Sequence, residues 1–323
     1  MRSTRRVTGV RAQAATCAAF SCVHDTPGPL PKNLLFYYCQ ETVRMTQDAQ
    51  QSNLSDWIGR QEVAQDFINP SHVRKIAASL ETSAPAAGLA LPPLWQWALF
   101  IEPAPQDQLG QDGHPKRGGF LPPADDRNRM WAGGRLQFHQ PLLVGRDGER
   151  ISTISAIREK QGTTGKLLFV TVTHEYKQDG QRCIHEEQDI VYREPAAPKL
   201  GGTEAAGAGA WSEPITPTST LLFRYSAVTF NGHRIHYDHP YVTQTEGYPG
   251  LVVHGPMIAT RLLQAFCQAN PDKTVTGFSF RGHRPLIAPA EFRAQGVITE
   301  AGRARLWAEQ EGTVAQTAEV TFK

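Results

Sequence analysis

GLVVHGPMIATRLLQAFCQAN, Gly250–Asn270, is the stretch on which the fold reading turns. Its first residues are an apolar, strand-like run that ends at a glycine. From Gly255 onward the pattern changes, and Ile258, Leu262, Leu263 and Phe266 recur at helical spacing on one face. After it comes TVTGFSFRGHRPLIAPAEFRAQGVITEAGRARLWAEQEGTVAQTAEVTFK, which reads as a run of strands. A helix followed by consecutive strands is not the alternation that a parallel α/β sheet requires.

The same order appears earlier in the chain. NPSHVRKIAASLET (Asn69–Thr82) repeats apolar residues at helical spacing, and PPLWQWALFIE (Pro92–Glu102) reads as a short core helix entered through prolines. Residues 103–130, rich in Pro, Gly, Asp and Arg, read as a long excursion. A β-rich block follows, in which QDGQ marks a hairpin turn. PAAPKLGGTEAAGAGAWSEPITPT (Pro195–Thr218) holds few large apolar residues and reads as a linker. The expected organisation is an N-terminal half over 45–194, a linker over 195–218 and a C-terminal half over 219–323, a tandem α+β pair.

Composition narrows the class of function. The chain has 323 residues, 40% hydrophobic and 20% charged, which suits a globular protein with a sizeable core. A net charge of +2 argues against nucleic acid or an anionic membrane as partner. No apolar run approaches the ~20 residues that span a bilayer. The five cysteines form no C-x-x-C pair, so neither a disulfide framework nor a zinc finger is expected, and a reducing compartment is. Residues 1–44 are Arg-rich and poor in acids. They read as a tail, as a transit peptide to the mitochondrial matrix, or as sequence upstream of a true start at Met45. The last reading draws support from Gln40-Glu41, which CAGGAG can encode, a purine run like a ribosome-binding site. A start at Met45 implies a bacterial, cytoplasmic protein.

The chemistry-bearing stretch is TFNGHRIHYD (Thr229–Asp238), about twenty residues before the Gly255 helix. Asn231, His233, His236, Asp238 and His239 are dense enough for a metal to be considered, but their spacing fits no zinc signature, and none is expected. There is no G-x-S-x-G elbow and no phosphate-binding G-x-x-x-x-G-K-[ST]. A helix start at Gly255 offers unpaired backbone N–H groups to an oxygen that gains negative charge.

LFRYSAVTFNGHRIHYDHPYV, GLVVHGPMIATRLL and FSFRGHRPLIAPAEF together resemble the MaoC-like acyl dehydratase and hydratase family. More narrowly, they resemble the branch whose members hydrate unsaturated dicarboxyl-CoA thioesters such as mesaconyl-C4-CoA. RMWAGGRLQFHQPL and LLFVTVTHEYKQDG resemble the N-terminal half of that branch, so the likeness spans most of 55–323. It implies a tandem (double) hot-dog fold, each half a long helix wrapped by an antiparallel sheet, and a hydro-lyase that needs no cofactor, CoA being part of the substrate. It also implies His236 as general acid/base, Asn231, which stands where the wider family has Asp, as the group that orients water, and Gly255 as oxyanion donor. Arg224, His233, Asp238, His254 and Arg281 are candidate substrate contacts. Arg224 would clamp a carboxylate and Arg281 would meet CoA phosphates, though each has a bland alternative as surface charge, loop support or packing. The Trp and Phe residues Trp95, Trp97, Trp131, Phe138 and Phe169 are expected in the core or the acyl pocket. The first half, with no N-x-x-x-x-H, is expected to supply only sheet and tunnel, its His114, His139, His174 and His185 having no partner pattern. Expected partners are the acyl-CoA thioester and a second copy in a homodimer. A carrier-protein dehydratase and a non-catalytic thioester-binding module are the alternatives.

Overall fold

A computed structural model describes residues 53–124, 127–162, 165–202 and 204–323, so the expectations for the Arg-rich extension and a start at Met45 lie outside the described residues. The first half contains β1 (Gln61–Phe67), α1 (Pro70–Ser79), β2 (Asn128–Phe138), β3 (Asp147–Gly162), β4 (Gly165–Gln178) and β5 (Gln181–Arg193). The second contains β6 (Trp211–Ile215), α2 (Ser219–Val228), α3 (His239–Gln244), α4 (Gly255–Ala269), β7 (Val275–Gly282), β8 (Phe292–Glu300), β9 (Arg303–Gln310) and β10 (Thr313–Phe322).

Among the described residues, ten strands form one antiparallel sheet in the order β1-β3-β4-β5-β2-β7-β10-β9-β8-β6. The halves meet where β2 pairs with β7, Leu136 opposite Phe278. Strand β4 shows why the sheet holds: Leu168, Val170, Val172, His174, Tyr176 and Gln178 alternate onto one buried face. The β4–β5 hairpin turns at Asp179 and Gly180, both with positive φ (51° and 74°), as the Asp-Gly pair predicts.

Helix α4 is the long central helix of the second half. Met257, Ile258, Leu262, Leu263 and Phe266 bury against β8, β9, β10 and β6. At roughly 25 cal/mol per Å² of apolar area, such a face is worth several kcal/mol. Its buried Arg261 donates to Leu80 O at the end of α1 (2.5 Å) and to Glu213 of β6 (2.9 Å), tying the halves together. This is a double hot-dog architecture.

Four expectations need correction. The first-half helix has only ten residues, because Leu80 and Glu81 turn the chain out of it, Glu81 at φ 55°. PPLWQWALFIE forms a 3-10 turn over Trp95–Ala98, held between Leu94 and Phe100, both at positive φ, where no longer helix fits. The linker ends early: Trp211–Ile215 is β6, paired with β8 through Trp211 opposite Gly296, and the Ala-rich run before it hid the strand. Phe169 lies half-buried on the face opposite the core, under Lys160, because its neighbours in β4 take the inner positions.

Candidate active site

Helix α2 ends at Val228, and Phe230 at φ 49° turns the chain into the catalytic loop. The Asn231 N–H donates to Ser226 O (2.8 Å), and the Asn231 Oδ1 accepts from the His233 N–H (3.0 Å), an Asx turn that shapes the loop. That bond assigns the amide, leaving Nδ2 as the free donor. Residues Arg234–His236 then form a single 3-10 turn.

His236 is buried, and its Nδ1 lies 2.7 Å from Val252 O. A carbonyl only accepts, so Nδ1 carries the proton and Nε2 is left as a base. Burial, opposed by the Val252 bond and aided by the His114 ring, lowers its pKa to about 4. The ring is therefore neutral at physiological pH. The Val252 N–H also binds Ile235 O (3.0 Å), so the strand-like entry to α4 clamps the loop from both sides.

His254, the residue before α4, is fully buried and stacks on His236 with ring centroids 3.7 Å apart. Its Nε2 is 2.8 Å from Ser226 Oγ, and Tyr225 packs against it at 4.9 Å. Gly255 opens α4, and an added Cβ there would meet no atom within 4 Å, so a ligand oxygen can approach the helix N-terminus.

The other candidates divide. His233 is brought in, 5.4 Å from His236 ring to ring. Asp238 is not: it binds Arg234 (2.7 Å) and caps α3 through the Tyr241 N–H (3.1 Å). Arg224 is exposed on α2, while the adjacent Tyr225 and Ser226 face His254. Arg281 is exposed on β7, opposite Gly133 and Thr317. Of the residues weighed as metal ligands in the sequence, Asp238 is thus engaged by Arg234 and the start of α3.

The first half supplies what spacing could not reveal. Residues 111–114 of the excursion dock on the catalytic loop: the Arg234 N–H donates to Asp112 O (2.9 Å), and its guanidinium donates to Gln111 O (3.0 Å). Gly113, at φ 86°, lies so close that an added Cβ would fall 1.9 Å from Gly232 O. His114 then sits 4.1 Å from His233, with its Nδ1 bound to Asp112 Oδ2 (3.0 Å). Burial and then the charge of Arg129 push the His114 pKa down against the bond to Asp112. Burial raises Asp112, but the bonds and charge of His114 outweigh it and hold the carboxyl low. Burial, then His114 and His236, hold His233 well below its usual range. Thus the expectation that the first half gives only sheet and tunnel is too narrow. About 120 residues separate Asp112 and His114 from the motif, and no local signal links them to it.

Asp112, His114 and His233 hold their ligand atoms within 4.8 Å of one another, a set that could take a cation. The Arg129 charge beside them and the Asp112–His114 bond oppose that use.

The sequence profile of the hydroxyacyl-thioester dehydratase type 2 family matches residues 94–288. The chain belongs to that family. It is 48% identical over 242 residues to a mesaconyl-C(4)-CoA hydratase of Chloroflexus aurantiacus, covering 73% of this chain and 86% of the relative. It is 28% identical over 263 residues to the mitochondrial hydroxyacyl-thioester dehydratase type 2 of Schizosaccharomyces pombe, 71% of this chain and 86% of that one. A MaoC-like dehydratase of Phytophthora capsici, 12% identical, superposes with a TM-score of 0.64 over 84% of this chain and 99% of that chain, which shows the shared fold. As a member of the dehydratase family, the protein is a hydratase/dehydratase enzyme, and the neutral His236 at a helix start is the kind of site such chemistry needs.

Proposed function

We propose that the protein hydrates, reversibly, the α,β double bond of a short dicarboxylic enoyl-CoA thioester of the mesaconyl-C4-CoA or itaconyl-CoA type. The observation that carries the chemistry is the His236 tautomer: Nδ1 is committed to Val252 O, which leaves Nε2 as a neutral base beside the N-terminus of α4. The substrate class draws on the 48% identity to the mesaconyl-C(4)-CoA hydratase.

In this reading the thioester oxygen lies at the Gly255 N–H. His236 Nε2 takes a proton from water as the water oxygen bonds to the β-carbon. The electrons of the double bond move toward the thioester oxygen, where the helix N-terminus stabilises the developing charge. His236 then returns its proton to the α-carbon. Asn231 orients the water through Nδ2, since Oδ1 is held by the loop. Every step is a proton transfer or an addition, so the route calls on no metal or redox cofactor. His254 holds the His236 ring by stacking, and Ser226 fixes His254.

The test is His236→Ala, followed by loss of the conjugated thioester absorbance with mesaconyl-C4-CoA, itaconyl-CoA and crotonyl-CoA. Turnover should fall by roughly 10³-fold or more with the melting profile retained, since general acid/base groups contribute about 10²–10⁴. Near wild-type turnover defeats the catalytic assignment, and crotonyl-CoA as best substrate defeats the dicarboxylate.

A further inference from the structure

The two halves are related by a pseudo-twofold axis between β2 and β7. Outward from that seam the strand order is β2-β5-β4-β3-β1 on one side and β7-β10-β9-β8-β6 on the other. Single hydrogen bonds repeat along with the strands. The Leu91 N–H donates to Leu142 O (2.7 Å) as the Val253 N–H donates to Leu286 O (2.9 Å). Ala90 bridges Leu143 as Val252 bridges Ile287. The Gln178 amide binds the backbone N–H and C=O of Leu143, and the Gln310 amide binds those of Ile287. The Thr82 N–H donates to Ala77 O (3.0 Å) as the Asn231 N–H donates to Ser226 O (2.8 Å). Each of these two residues follows one of positive φ, Glu81 at 55° and Phe230 at 49°.

In this register the catalytic cleft has a twin in the first half. Pro92 stands in the place of His254, Pro93 in that of Gly255 and Thr82 in that of Asn231. His236 has no counterpart. Ala90 follows Thr82 by eight residues, whereas Val252 follows Asn231 by 21, so the first half lacks the loop that carries the base. Proline has no N–H, so Pro93 offers no donor where Gly255 does.

The twin cleft encloses about 480 Å³, within the ~300–1,000 Å³ of small-molecule sites. Its apolar walls come from both halves: Leu91, Pro93, Phe138, Leu142 and Ile184 from the first, Val275 from the second. Gln96 also lines it. That residue is 1% exposed, and neither its Nε2 nor its Oε1 has a hydrogen-bond partner among the described residues. Two lysines of the second half complete the lining, Lys323 exposed and Lys273 half-buried with its amine on Asp272 (2.7 Å).

A buried amide with both ends unpaired costs stability unless a ligand meets it. The pantetheine arm of a CoA thioester is a flexible, mostly apolar chain with two amides, so it offers Gln96 an acceptor and a donor. The phosphates beyond the arm suit the lysines. The cavity is also distinct from the catalytic cleft. Cys267, which lines it, lies twelve residues beyond Gly255 on α4, roughly 18 Å along the axis at ~1.5 Å per residue. A four- or five-carbon acyl group at Gly255 does not span that distance.

We infer that the twin cleft is a second thioester site, which receives the pantetheine arm of an acyl-CoA on Gln96 and holds it without turnover. The inference rests on the CoA-thioester reading above and on no particular acyl group.

The experiment titrates S-propyl-CoA, a thioether with no double bond to hydrate, into wild type, Gln96→Leu and Cys267→Phe by calorimetry. Alkylation of Cys267 by iodoacetamide, read by peptide mass spectrometry, locates the ligand. Burial pushes the pKa of that thiol up to about 11, so the labelling is run at pH 9. Wild type should bind two thioethers per chain, and the ligand should slow Cys267 labelling several-fold. Gln96→Leu should weaken the second binding event about 10–100-fold, the scale of losing buried hydrogen bonds. It should melt no lower than wild type, because the unpaired amide is gone, and should hydrate substrate with kcat/KM within about twofold of wild type. Cys267→Phe, which fills the cavity, should also lose the second event, and it carries the test if Gln96→Leu does not fold. A titration that the variants leave unchanged, or Cys267 labelling that the ligand does not slow, overturns the second site. Hydration of mesaconyl-C4-CoA by wild type would then still stand for the thioester reading, and a wild type that hydrates no CoA thioester defeats that reading instead.

Discussion

His174 in the first half and His236 in the second are both buried histidines with depressed pKa values, yet only His236 lies beside a helix N-terminus. His174 points inward from the middle of β4, with Nδ1 2.9 Å from Ser152 Oγ. Around it lies a packed polar layer in which Glu186 accepts from Trp97 Nε1 (2.8 Å) and Tyr176 OH (3.1 Å). His236 instead sits on a one-turn 3-10 element, pinned through Nδ1 to a backbone carbonyl and stacked on His254, beside the first residue of α4. Burial alone gives a neutral imidazole. The proposed base also has a fixed tautomer and an approachable helix N-terminus beside it, and among the described residues of the first half no helix start lies beside His174.

The contrast breaks most visibly in acid. Burial, with the charge of Arg150, lowers the His174 pKa from 6.5 to about 3. Between those values the unfolded chain binds a proton that the native His174 refuses, so this contribution to stability is complete above pH 6.5 and is lost as pH falls toward 3. Two pH units below 6.5, the loss from this residue is about 2–3 kcal/mol. His174→Leu should therefore melt lower at neutral pH, by the cost of leaving Ser152 unpaired, and should lose less further stability on acidification than wild type. Its turnover should be unchanged. Thermal melts of both proteins at pH 7 and 4.5 check this. A variant that loses as much on acidification as wild type, or that loses turnover, removes the distinction drawn between the two histidines.

The second break targets the joint between the halves. Gly113→Val places a Cβ 1.9 Å from Gly232 O at a φ of 86°, so the segment with Asp112 and His114 must lift from the catalytic loop. The hydrophobic clusters lie elsewhere, so the melting temperature should move by only a few degrees. Hydration should fall roughly 10²-fold, the scale of a misplacement of about 1 Å in an active site. Steady-state kinetics beside a melt separates the two, and unaltered kinetics would show that the docked segment is a bystander.

How far the sequence alone reaches follows from which interactions are local. The start of the helix at Gly255 and the Asp-Gly hairpin follow from short-range rules, and each is found where it was read. Asn231, His233 and His236 lie within six residues and share one loop, so they were legible together with the N-terminus of α4. Arg224 looked as suited to a carboxylate as any arginine near the motif, because composition does not say which side of a helix meets the site. Asp112 and His114 were illegible for the opposite reason. Their place at the site depends on how a Pro- and Gly-rich excursion docks on a loop about 120 residues away, and no spacing rule reaches that far. Strand β6 was missed because its pairing with β8 is tertiary, and its own residues, WSEPI, carry a weak strand signal.

The smallest expected effect bears on Asn231, and it sharpens what the second half does alone. Asn231→Asp keeps an oxygen for the His233 N–H, so the Asx turn and the loop should survive. The new carboxylate would sit beside His233 and His236 and, by its charge, raise the His236 pKa from about 4 toward the ordinary value. If His236 is the sole proton carrier, kcat near pH 7.5 should change by less than about tenfold, and the acid limb of the pH–rate profile should move to higher pH. A gain of about 10²-fold with no shift of that limb would mean that the carboxylate itself takes up the proton. His236 would then be half of a dyad that this chain lacks, and the first-half Asp112–His114 pair would become the leading candidate for the missing half.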